Sequence, residues 1–163
     1  MKKINIAVIA GAALLVLSAA HGASTAADDQ DRDNSPRVIR LVERIHEFTF
    51  QDTGAPGPSL GDRLIFTSDL FDEENRRVGR DGADCVVVRL DQSAPPQQQQ
   101  IVQCAITVEL PNGQLTFQGL AQGTESLFAV TGGTGTYRTA RGEAFAKDIV
   151  PLQEADITIR LLR

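Results

Sequence analysis

From Arg37 onward, turn signals cut this chain into eight short runs of β-forming residues, and helix signals are nearly absent. The runs are Arg37–Phe50, Asp62–Phe71, Gly82–Leu90, Ile101–Leu110, Gln114–Ala121, Ser126–Thr131, Tyr137–Lys147 and Ala155–Leu162. The first alternates as a half-buried strand does, with Ile39, Leu41 and Ile45 on one side and Arg40, Arg44 and His46 on the other. Pro111-Asn112-Gly113 is a hairpin signal, a Gly/Pro loop spans Thr53 to Ser59, and the charged stretch Asp72–Arg77 reads as a solvated turn. Eight strands with short connections favour an antiparallel meander, and closing it into a barrel removes both unprotected edges. A β-sandwich is the alternative arrangement of the same strands.

One segment imitates a different fold. Val130–Ala144, VTGGTGTYRTARGEA, sets four glycines between β-type runs, which is the density a phosphate-cradling loop would have. A dinucleotide-binding loop must open a helix after its glycines. Arg138–Ala146 is poor helix material, so the segment reads instead as a tight turn with a strand leaving it.

The first residues read as an address. Lys2 and Lys3 precede the uncharged apolar run Ile4–Leu17, and small residues from Ser18 to Ala27 offer cleavage sites such as Ser24-Thr25-Ala26 and Ala20-His21-Gly22. Residues 1–26 are therefore expected to be a secretory signal peptide, and the product secreted or periplasmic. Residues 27–36, nearly free of apolar side chains, are expected to form a disordered leader. The remaining stretch, 37–163, is long enough for one domain with its own core. Losing Lys2 and Lys3 makes the chain more acidic than its formal net charge of −5 and leaves Lys147 as the only lysine. With arginines scattered singly, there is no basic stripe for a nucleic acid or an anionic membrane.

Cys85 and Cys104 are the only cysteines. If the two strands that carry them form a hairpin, pairing these residues centres the turn between Ala94 and Pro95, inside the loop Asp91–Gln100. That register sets them opposite each other at a Cα separation of roughly 4.5–5.5 Å, compatible with a disulfide. A reactive thiol at Cys85 and a pair of inert buried thiols are the other readings.

Gly61–Val88, GDRLIFTSDLFDEENRRVGRDGADCVVV, resembles the second and third strands of allene oxide cyclase. Gln114–Gly119, QLTFQG, and Val130–Gly135, VTGGTG, continue that resemblance in order. Gly132–Ala144, GGTGTYRTARGEA, is closer still to the plant dirigent proteins. The resemblance spans Arg37–Arg163 and implies an exported bacterial member of a group built on an eight-stranded antiparallel barrel, usually trimeric.

Residue by residue, the cyclase resemblance puts the active carboxylate at Glu43. Independently, Glu43 shares the Ile39/Leu41/Ile45 face, where burial would raise its pKa; the bland alternative is a carboxylate solvated at the barrel mouth or paired with an arginine. Cys85 falls on that family's interior cysteine. Ser68 and Ile45 stand where asparagines are expected, which points away from the plant epoxide reaction. The dirigent resemblance carries over Arg141 as a ligand-contacting cation, against a plain salt bridge or trimer contact. Thr67 and Ser68 stand where that family has paired aspartates, with only Asp69 next along. The ligand-facing set is then Leu41, Ile45, Phe66, Ser68 and Phe117, with Glu43 and Arg141 as the polar groups. No cofactor is implied, His21 and His46 make no metal or triad constellation, and the serines lack a histidine partner.

Two classes of function follow. Either the barrel holds a small apolar substrate and steers a cyclisation or coupling, or it is a secreted binding or structural barrel without chemistry. An interior filled by Phe66, Phe117 and Phe128 would favour the second, and a ligand-sized cavity with Glu43 inside it the first.

Overall fold

The computed structural model describes residues 37–54 and 56–162. The expected signal peptide and leader, 1–36, lie outside the described residues. Eight strands follow in order: β1 (Arg37–Gln51), β2 (Arg63–Phe71), β3 (Arg77–Leu90), β4 (Gln100–Leu110), β5 (Gly113–Ala121), β6 (Glu125–Gly133), β7 (Gly142–Val150) and β8 (Glu154–Leu161). Each pairs antiparallel with its neighbours, and β1 pairs with β8 from Arg37↔Leu161 to Arg44↔Glu154, so the sheet closes into a barrel. The sandwich alternative is thereby excluded.

The meander gives the barrel two ends. The β1–β2, β3–β4, β5–β6 and β7–β8 connections lie at one end, called the mouth here. The other three connections and the start of β1 lie at the floor. There the β6–β7 connection carries a 3₁₀ turn, Gly135–Tyr137, and its Tyr137 and Ala140 are buried with Leu110 and Leu161. β7 therefore begins at Gly142 and not at Tyr137. Gly135 (φ 57°) and Gly142 (φ 145°) hold backbone conformations that interrupt the extended run, and a Cβ on Gly142 would collide with the Arg160 carbonyl of β8.

Alternation along β1 runs as expected up to Ile45. A bulge between Ile45 and Glu47 then inserts His46, after which Phe48 and Phe50 pair with Phe66 and Leu64 but remain exposed, outside the cavity lining. β3 starts five residues before its expected start, because Arg77–Asp81 continues the ladder to β2 and β4. Asp62 belongs to the β1–β2 loop. Its fully buried carboxylate accepts hydrogen bonds from the Thr53 and Ser59 backbone N–H groups and hydroxyls, which hold its pKa below the usual carboxylate range.

Leu70, Leu115 and Ile159 have no exposed surface, and burial on this scale stabilises by about 1.5–3 kcal/mol for each side chain. The ion pairs, such as Arg80–Glu109 and Lys147–Glu125, lie on the outer surface, where solvent screens them and they add little. The core thus sets the stability.

Cys85 and Cys104 face each other in the β3–β4 register and form a disulfide. Replacing both by alanine removes a cross-link between residues 19 apart, a loss of about 3 kcal/mol by loop entropy. For a domain of this size that lowers Tm by roughly 10 °C, measurable by calorimetry. A drop below about 2 °C would show that strand pairing already constrains the hairpin.

Candidate functional site

The inward side chains do not fill this barrel. A cavity of about 180 Å³ opens toward the mouth, where Gly123, Thr124, Leu152 and Gln153 edge it. Its walls are apolar, with Leu41 and Ile45 from β1, Phe66 from β2, Ile106 from β4, Phe117 from β5 and Phe128 from β6. An apolar cavity of ~150 Å³ is enough to hold a benzene. Here one end is open, so a somewhat larger molecule has room.

Four carboxyl-bearing residues interrupt this lining: Glu43 on β1, Asp81 on β3, Asp148 on β7 and, at the mouth, Glu154 on β8. Glu43 and Asp81 are brought together by the strand between them. The Ser68 hydroxyl of β2 donates to Glu43 Oε1 at 2.8 Å, and Ser68 pairs with Asp81 in the β2–β3 ladder. Asp81 is only 8% exposed, and its Oδ1 has no hydrogen-bond partner among the described residues. Burial, reinforced by the neighbouring charge of Glu43, pushes the Asp81 carboxyl up to about 8. Burial also raises Glu43, against hydrogen bonds from Ser68 and Asp81 that favour its charged form. Asp148 is raised by burial alone. Two such groups in reach of each other cannot both ionise cheaply, so the pair holds one proton at neutral pH. The hydroxyl on Glu43 and the orphaned oxygen on Asp81 make Asp81 the protonated member.

Of the residues expected to face a ligand, Leu41, Glu43, Ile45, Phe66 and Phe117 all line the cavity. Ser68 is buried behind it and orients Glu43. Arg141 is placed elsewhere. It is exposed at the floor, just before β7, with its carbonyl accepting from the Leu162 N–H, and it is not among the cavity's lining residues. Cys85 lines the cavity as half of a disulfide, so it offers no thiol. Among the described residues no cluster of three or more His, Cys, Asp or Glu side chains could hold a metal ion.

Asp81 and Asp148 escaped the sequence reading for the same reason. Each stands one residue outside an expected strand, because Asp is a poor strand former and marks the boundary. The signal was there: counting back from inward Cys85 by twos reaches Asp81.

Residues 43–161 match the family described as the allene oxide cyclase barrel like domain. Among solved structures, a pyocyanin demethylase is 25% identical, with 77% of this chain and 99% of that chain covered and a TM-score of 0.66. AbnU, an exo-specific intermolecular Diels-Alderase, is 16% identical, with 78% and 98% covered and a TM-score of 0.63. The pterocarpan synthase dirigent protein PsPTS1 is 14% identical, with 78% and 92% covered and a TM-score of 0.53. No curated protein matches the chain. The family match runs from the middle of β1 to the end of β8, through every strand that builds the cavity, and on it this chain belongs to the allene oxide cyclase barrel-like family.

Proposed function

We propose that this barrel takes one small, largely apolar molecule in through its mouth and steers a ring closure or isomerisation, with Glu43 and Asp81 as its acid–base pair. The observation that carries the reading is the unfilled interior. Phe66, Phe117 and Phe128 form walls around a cavity instead of closing it, and the Glu43 and Asp81 carboxyls are among those that open onto that space. Such walls hold a flexible reactant in one conformer, and positioning alone can remove a large part of a barrier. Asp81, carrying the proton, donates to a substrate oxygen that gains charge as the bond forms. Glu43, kept as the carboxylate by Ser68, accepts a proton from the rearranging skeleton, so the pair ends with one proton as it began. The intermolecular Diels-Alder activity named for AbnU belongs to that protein; it is a fold-level analogy, and the reading here stands on the cavity and its carboxyls. Export through residues 1–26 and trimer assembly belong to the same proposal, and the disulfide supports an oxidising compartment.

The test is a pair of near-isosteric variants assayed against a panel of linear dienes and epoxides that close to one or two rings. Glu43→Gln and Asp81→Asn are each expected to retain naphthalene binding within threefold, read by fluorescence, while turnover falls at least 100-fold. Turnover equal to that of the parent protein in both variants would sink the acid–base role and leave a binding barrel.

The same assignment fixes a pH dependence of folding. Asp81 titrates near 8 in the folded chain and near 3.9 when unfolded, so the folded state binds the extra proton between those values. Its contribution to stability is full below about pH 4 and is lost as pH rises through about 8. Urea denaturation should therefore find Asp81→Asn close to the parent at pH 4 and clearly more stable at pH 9. Parallel pH curves for the two proteins would place the proton elsewhere.

A further inference from the structure

The cavity's charges are all of one sign. Glu43, Asp81 and Asp148 line it, Glu154 stands at its mouth, and among the described residues no arginine, lysine or histidine does. Arg44, on the outer face of β1, binds Glu154 at 3.0 Å and so serves the rim rather than the interior. On the far side of the wall, in the outer groove behind Asp81, stand His46, Arg77 and Arg80, and the two arginines are engaged by Asp69 and Glu109. β4, β5 and β6 contribute no ionisable group to the cavity. Asp81 Oδ1 is buried and, among the described residues, has no hydrogen-bond partner, so it is the atom best placed to accept from a donor or face a positive charge.

From this arrangement we infer that the cavity selects a compact aromatic molecule carrying a cationic or basic nitrogen, seated between the Glu43–Asp81 pair and the phenylalanine walls. The inference rests on the ligand-binding half of the reading above: a permanent cation uses the acid pair as a counter-ion, and only a basic nitrogen keeps the proton in the site. A buried carboxylate gains most from a charge of opposite sign, because the surrounding dielectric is low. Phe66, Phe117 and Phe128 add faces on which a delocalised, weakly hydrated cation is attracted by the ring quadrupole. A compact, strongly hydrated ammonium would lose more solvation there than those faces return. The proton balance is simple. A permanent cation displaces the shared proton to solvent, whereas a basic ring nitrogen takes that proton itself, and either complex ends as a cation beside a carboxylate.

N-methylquinolinium and 1-methylnaphthalene are near-isosteric flat bicycles that differ in charge, and calorimetric titration of the protein with each tests the inference. At pH 9 the cation is expected to bind at least tenfold more tightly than the hydrocarbon, with the advantage shrinking toward pH 5 as the acid pair protonates. Asp81→Asn, and Glu43→Gln as a second variant, should cut the cation's affinity at least tenfold and leave the hydrocarbon within threefold. Hydrocarbon binding equal to or tighter than the cation at pH 9, or a preference unchanged in both variants, would overturn the inference while the ligand-handling barrel stood. If neither molecule binds, that barrel reading falls with it.

Discussion

Everything in this structure depends on the pairing of β1 with β8. Those ladder positions, Arg37↔Leu161 to Arg44↔Glu154, turn a sheet with two open edges into a wall with an inside. Once the wall is closed, the period-2 alternation of each strand sends one set of side chains inward, and eight strands leave an interior that side chains need not fill. Closure also brings distant strands face to face. Glu43 reaches Asp81 across a single intervening strand, and Asp148 adds its charge to Glu43 from β7, next to β8 on the other side. None of these groups would be desolvated in an open sheet, where the same face would meet water.

What this enclosed acid pair costs is carried by the rest of the molecule. Burial raises both carboxyls, which means the folded state is disfavoured whenever both are charged. The compensation is apolar, in fully buried residues such as Leu70, Leu115 and Ile159, and covalent, in the Cys85–Cys104 bridge beside the cavity. Surface ion pairs contribute too little to do it. A site that loses stability while its surroundings gain it is the pattern expected where chemistry or recognition sets the residue choice.

Much of this was legible in the sequence, and the rest was hidden for definite reasons. The cysteine register was readable because opposed residues in a hairpin are fixed by the turn centre, and Cys85↔Cys104 is the observed pair. Inward Leu41, Glu43, Ile45, Phe66 and Phe117 followed from alternation and from the family resemblance. Asp81 and Asp148 were lost at strand ends, where propensity argues against the residue types that chemistry requires. Arg141 followed from a motif match alone, and the motif's glycines have a local explanation. Gly135 and Gly142 shape the turn under the floor, and Arg141 stands beside it, away from the cavity lining. The bulge at His46 has no sequence signature, since it substitutes one alternating pattern for another.

That bulge bears on how a buried acid could be recharged. A ligand seated in the cavity stands between Asp81 and the mouth, and the proposed cycle leaves the pair's proton on Glu43, so resetting it moves a proton back to Asp81 with the mouth occupied. Ser68 and Asp81 also reach a polar groove on the outer surface, which His46, Thr67 and Thr107 help to line. Gly82 is part of that groove, and the space where a Cβ would stand is open. A side chain on Gly82 would build out the wall between solvent and the acid pair. Asp81 therefore lines both the cavity and the outer groove while staying buried, with Gly82 next to it in β3.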